Sequence, residues 1–209
     1  MNGYMMIGIV IMIIVLSIGM SIIKRNLFQS LYLSLNNENY EYFFNKVDSH
    51  IARALLPIYT REIMRLNAYM KTKEAQTVTE QFNKMMKMHL NQYQLVDLLT
   101  KAFSYYAINK DQKKCARIIK KMEETMDDAQ CQKYRMYYEI VFEASIKYLE
   151  EIKQSLLIHR GKKRGYFEYL LAKSYLSKHD KESYEKYIQL AAEDYKTNVE
   201  QLETRIQIM

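Results

Sequence analysis

Hydrophobic positions follow two regimes along the chain. Over residues 4–23 there is no period: 20 successive positions are almost all Ile, Val, Met, Leu or Gly, with Ser17 and Ser21 the only hydroxyl residues besides Tyr4. From Lys24 onward apolar residues recur about every 3.6 positions, in segments of about 12 to 18 residues, without sustained alternation. Short polar breaks separate the segments: NNEN at 36–39, KTKE at 71–74, NKDQ at 109–112, GKKRG at 161–165 and SKHD at 177–180. Breaks this short join antiparallel neighbours. The pattern predicts an all-α chain. Pro57 agrees with it, because a proline in the first helical turn loses no hydrogen bond, and LLPIYTREIMRLNAYM reads as a helix starting near it.

A helix of 20 residues is about 30 Å long, the hydrocarbon thickness of a bilayer, and it satisfies its own backbone polar groups. Residues 4–23 are therefore expected to form a transmembrane helix, with a short extracytoplasmic tail at 1–3 and a juxtamembrane segment at 24–29. A cleaved signal peptide is the alternative. It calls for a basic n-region, a shorter apolar core and a small-x-small site, and MNGYMM and SIIKRN supply neither the charge nor the site. No Asp, Glu, Lys, Arg or His precedes Lys24. Lys24 and Arg25 flank only the C-terminal end of the run, so the positive-inside rule predicts a single-pass protein of the cell membrane with its C-terminal domain cytoplasmic. Tyr4 then falls at the outer interface. Ser17, Ser21, Gly8 and Gly19 suit either close helix packing in lipid or an ordinary anchor.

Tyr32, Tyr69, Tyr106 and Tyr175 each stand a few residues before a polar break. The first three are spaced by 37 residues, and the interval from Tyr106 to Tyr175 covers two steps of about 35, with the intervening member near Ile140 and Val141. Helical hairpins repeated at such a period mark an α-solenoid, in which no hairpin buries its apolar face alone. In one unit Leu171, Ala172 and Tyr175 are followed by SKHD and then by Ile188 and Ala191. Another gives Leu99, Ala102, Phe103 and Tyr106, then Cys115, Ile119 and Met122; a third gives Leu66, Tyr69, Val78, Phe82 and Met85.

This arrangement resembles the tetratricopeptide repeat: a Leu-small pair, a tyrosine, a turn, then small and aromatic positions on a second helix. The resemblance covers residues from about 30 to 195. The turn glycine and closing proline of that family are missing. It implies a TPR-like α-solenoid domain over 30–209, with four to five hairpins and each tyrosine wedged against the next unit. DYKTNVEQLETRIQIM would be a C-terminal helix capping the stack.

The 31 basic and 24 acidic side chains leave a net charge of +7, which favours an anionic leaflet or an acidic partner. Cys115 and Cys131 are too far apart for a C-x-x-C motif, and as buried free thiols they suit a reducing compartment. His50, His89, His159 and His179 have no metal-ligand spacing, and no phosphate loop or nucleophile elbow occurs, so no catalytic site, cofactor, metal or small-molecule substrate is predicted. The basic run HRGKKRG places Arg160, Lys162, Lys163 and Arg164 in an expected loop. With Lys24 and Arg25 these residues are the candidate contacts for an anionic partner or lipid headgroups; the plainer reading is a solvated turn. Lys110, Lys113, Lys114, Arg117, Lys120 and Lys121 stripe one helix, the outer face of an amphipathic element. Met85, Met86 and Met88 read as packing first and as an adaptable partner surface second.

The expected function is a membrane-tethered adaptor or scaffold for a protein or peptide partner. The alternatives are a structural subunit of a membrane complex and a nucleic-acid or regulatory binder acting through 159–165, although no nucleic-acid fingerprint is present.

Overall fold

The computed structural model describes residues 3–72, 75–206 and 208. Twelve helices account for the regular structure of the described residues, among which there is no strand. They are α1 (Gly3–Asn36), α2 (Tyr40–Val47), α3 (His50–Leu55), α4 (Ile58–Thr72), α5 (Ala75–Met86), α6 (Gln92–Ile108), α7 (Gln112–Glu123), α8 (Asp128–Phe142), α9 (Leu149–Ile158), α10 (Gly161–Ser177), α11 (Lys181–Tyr195) and α12 (Val199–Arg205). They form two compact units, Met1–Leu90 and Asn91–Met209. The all-α expectation holds, but residues 30–209 divide between two units, and the apolar helix belongs to the first.

In the first unit α1 is long and apolar enough to cross a membrane. Its large apolar side chains from Met6 to Ile23 are exposed all round. Past Arg25 the same helix becomes amphipathic. Leu27, Leu31 and Leu35 recur every fourth residue and are buried with Phe43 and Val47 of α2, Ala52 of α3, Leu56 just past the end of α3, and Ala68 of α4. Segment 24–29 is thus helix continuous with the apolar run. The Pro57 carbonyl accepts the first helical bond of α4 from Arg61 N–H at 3.2 Å, so the proline stands where its missing N–H costs nothing. Buried Glu62 ties α4 to α5, accepting from Lys84 Nζ at 2.7 Å and Gln81 Nε2 at 2.8 Å. Part of the KTKE break, Lys73 and Glu74, lies outside the described residues.

In the second unit α6 packs on α7, α7 on α8, α8 and α9 on α10, α10 on α11, and α11 on α12. Ala102, Ala172 and Ala191, the expected small positions, are buried. Free Cys115 and Cys131 are buried as well.

Three of the polar breaks share one construction. Glu38, Lys110 and His179 hold φ of 56°, 56° and 59°, the left-handed conformation glycine usually supplies. The next residue, Asn39, Asp111 or Asp180, sends its N–H back to the carbonyl of Ser34, Tyr106 or Tyr175. Its side chain then accepts the N–H of Tyr42, Lys114 or Ser183 and caps the following helix. One residue closes the first helix and its neighbour opens the second. Ala144, φ 55°, makes a further left-handed stop after α8.

Two expectations fail. Tyr32 is 64% exposed and wedges against nothing, because the residue at its turn equivalent to Tyr106 and Tyr175 is the buried Ser34, two positions on. GKKRG is not a loop but the first turn of α10. Gly161, with φ 55°, starts that helix, and Lys and Arg are good helix formers that let it run on. Gly165 is helical too: a Cβ there would lie 2.9 Å from Asp194 Cβ and 2.9 Å from the Tyr195 ring, so it is glycine because α10 and α11 touch at that point.

Candidate binding recess

The anticipated anionic-contact residues divide between the units. Lys24 and Arg25 are exposed on α1. Arg160 precedes α10 and donates to the carbonyls of His159 at 2.8 Å and Leu157 at 3.3 Å. Lys162 and Lys163 are exposed on the first turn of α10. Arg164 Nε donates at 2.9 Å to Glu168 Oε1, a carboxylate one turn along that is 1% exposed. Burial raises the Glu168 carboxyl above its ordinary range, against the lowering effect of Arg164. Only Lys162 and Lys163 of the run therefore project cationic groups without a described protein partner.

A more organised charge cluster lies elsewhere in the second unit. A pocket of about 220 Å³ is walled by Ala107 and Ile108 at the end of α6, Tyr137, Val141 and Phe142 of α8, and Tyr169 and Lys173 of α10. Helix α12 reaches into it with Glu203. One carboxylate oxygen meets Lys173 Nζ at 2.5 Å and the other meets Lys110 Nζ at 2.9 Å. Lys110 gets there because its left-handed backbone ends α6 and turns its side chain off the α7 stripe where sequence pattern had placed it. Lys173 also lies 5.3 Å from the centre of the Tyr169 ring, which stacks on Tyr137 with centroids 6.4 Å apart. Leu202 and Ile206, flanking Glu203, are buried.

The electrostatics keep Glu203 ionised between its two lysines. Burial opposes ionisation of Glu203, yet hydrogen bonds and charge from Lys173 and Lys110 outweigh it and hold the carboxyl below its ordinary value. Burial pushes the Tyr137 hydroxyl up to about 12 and raises Tyr169 as well, so both rings stay neutral. The nearby Cys115 thiol is pushed up to about 12 by burial and is a poor nucleophile. Two lysine ammonium groups beside an apolar, aromatic wall thus grip the Glu203 carboxylate, whose neighbours Leu202 and Ile206 are aliphatic.

Sequence reasoning did not single out this site. Lys110 was visible only as one lysine of a stripe, and nothing local connects Lys173 with Glu203, 30 positions away. Comparison with protein families, curated proteins and solved structures finds no match.

Proposed function

We propose that this chain is a single-pass, membrane-tethered helical-repeat adaptor that holds a protein partner at the cytoplasmic face of the cell membrane. The partner element is an acidic amphipathic helix seated in the α6–α8–α10 recess. The observation that carries this reading is the convergence of Lys110 and Lys173, from separate helices, on one carboxylate above a stacked tyrosine pair. Helix α12 serves as the internal template: Leu202 and Ile206 bury beside the ion-paired Glu203. A helix of seven residues is too short to be stable by itself, so its docked state competes with a similar helix offered in trans. Support for repeats comes from the left-handed helix stops at Glu38, Lys110, Ala144 and His179, spaced by about 35 residues or about twice that, in line with a TPR-like solenoid; a further stop of this kind, Lys196 after α11, lies outside that spacing. Support for the anchor comes from the apolar exposure of α1 up to Lys24 and Arg25. The reading as a structural subunit of a membrane complex is favoured by Leu157 and Ile158, large apolar side chains exposed at the end of α9.

The test uses the full chain in nanodiscs, with α12 released by Leu202→Asp and Glu203→Lys, and a labelled peptide spanning residues 197–209 of the natural sequence. Binding by the released variant, weakened at least about tenfold when Lys110 and Lys173 are also changed to Glu, is the expected outcome. A released variant that does not bind the peptide rejects the recess. Protease treatment of intact cells checks orientation, and digestion of the helical region from outside rejects the cytoplasmic placement.

A further inference from the structure

We infer that the corner formed by α3 and Pro57 is a second membrane contact, lying in the headgroup and upper acyl layer of the same leaflet that α1 leaves. The inference rests on the reading of α1 as a membrane span. The occupant of this surface is lipid, and the geometry of the first unit is the reason.

A series of contacts sets α2 and α4 against the cytoplasmic part of α1. Ser30 Oγ and Tyr42 Oη share a hydrogen bond at 3.0 Å. Phe44 stacks on Tyr69 with centroids 5.1 Å apart, Arg65 pairs with Asp48, and Lys71 Nζ donates to the Leu35 carbonyl at 3.2 Å. The chain therefore leaves α1 at Asn36, runs back along it through α2 and α3, turns at Pro57 and returns in α4. From Lys71, level with Leu35, α4 descends about 20 Å to Ile58 at 1.5 Å per residue. That places Ile58 close to the level where the apolar run of α1 meets Lys24.

The recess between these elements confirms the level. A space of about 460 Å³ separates Leu16, Met20, Ser21 and Lys24 of α1 from Ala54 and Leu55 of α3. On a helix, Leu16 lies about 10 Å and Ser21 about 3 Å to the membrane side of Ile23. Interfacial amphipathic elements sit about 5–10 Å deep, which matches. The corner has the composition such an element needs. Ile51 is 54% exposed and Ile58 60% exposed, with Ala54 and Pro57 exposed between them and Leu55 half-buried. Arg53 is exposed on α3, and Lys24 and Arg25 stand at the end of the span; none of the three forms an ion pair among the described residues. Apolar side chains ringed by free cations fit the anionic surface of a leaflet. Lipid also fills the recess, which water would otherwise occupy against Leu16 and Met20.

The chain has no tryptophan, so single substitutions give a clean fluorescence ruler. Full-length Ile51→Trp and Ile58→Trp are reconstituted in phosphatidylcholine vesicles containing one quarter phosphatidylglycerol. Ile13→Trp marks the span, and Tyr32→Trp, on α1 beyond Lys24, marks water. Lipids brominated near the glycerol end of the acyl chain are expected to lower the emission of both corner tryptophans about twofold, and lipids brominated near the methyl end to lower it less. Ile13→Trp should show the reverse preference and Tyr32→Trp no quenching. If Ile13→Trp is quenched while Ile51→Trp and Ile58→Trp behave like Tyr32→Trp, the anchor stands and the corner contact is wrong. If Ile13→Trp is itself unquenched, the span is wrong and the corner contact falls with it. Both corner positions are exposed, so neither substitution disturbs the core.

Discussion

Gly165→Ala sets two physical effects of similar size against each other. An interior helical glycine replaced by alanine gains about 1 kcal/mol of helix propensity. In α10 the new methyl would lie 2.9 Å from Asp194 Cβ, 2.9 Å from Tyr195 Cδ2 and 3.1 Å from Tyr195 Cε2. Carbon atoms rest at about 3.5–4.0 Å, so the two nearer contacts are short by more than half an ångström and the third by about 0.4 Å or more. Neither neighbour yields easily. Asp194 Cβ is fixed to the backbone of α11, and the Tyr195 ring is buried. Overpacking of this kind costs about 1–3 kcal/mol, and three simultaneous contacts put this site in the upper part of that range. The net expectation is a loss of about 1–2 kcal/mol, equivalent to roughly 2–8 °C in Tm for a chain of this size. Tyr169 and Lys173 stand one and two turns further along α10, so a displaced helix also shifts one wall of the recess. Hydrogen exchange by mass spectrometry on the full chain in detergent reads the effect locally: amides of α10 and α11 should lose protection while those of α4 and α5 keep theirs. A Gly165→Ala protein more stable than the parent by about 1 kcal/mol would falsify the close approach, since propensity alone would then account for the result.

Two further outcomes concern titration. The carboxyl of Glu203 is depressed in the folded chain, so its ion pairs stabilise the docked α12 above the ordinary carboxylate pKa, and that contribution disappears as pH falls through the lower folded value. Exchange protection of residues 199–206 should therefore drop on acidification below about pH 4.5, and Glu203→Gln should be weaker at neutral pH and insensitive to that change; equal acid sensitivity in the variant rejects the assignment. Glu168 has the opposite sign. Burial raises its folded pKa, so stability is fully present below the ordinary value and falls as pH rises through the raised one. Glu168→Gln should gain stability relative to the parent between pH 4 and pH 7 in denaturant titrations, and a relative loss over that window contradicts burial as the dominant effect.

Much of the helical order was legible in local chemistry. NNEN, NKDQ and SKHD mark helix boundaries because an Asn or Asp in each caps the next helix, an interaction that spans three residues. GKKRG misled because its glycines resemble a break, whereas Gly165 answers to Asp194 and Tyr195 across a hairpin. Tyr32 misled because regular spacing says nothing about which side of a helix faces a neighbour; Ser34 holds the equivalent place. The recess escaped sequence reasoning altogether, since Lys110, Lys173 and Glu203 come from three elements and none is unusual alone.

The amino-acid order alone determined the apolar N-terminal helix, the all-α class and the helix stops near Asn36, Ile108 and Ser177. Each depends on period, length or a cap within a few residues. Tertiary packing decided which cations meet which carboxylate, where glycine is demanded by contact, and which apolar corner is left exposed beside the apolar helix. Those outcomes depend on distances between segments far apart in the chain, and such distances exist only once the helices have stacked.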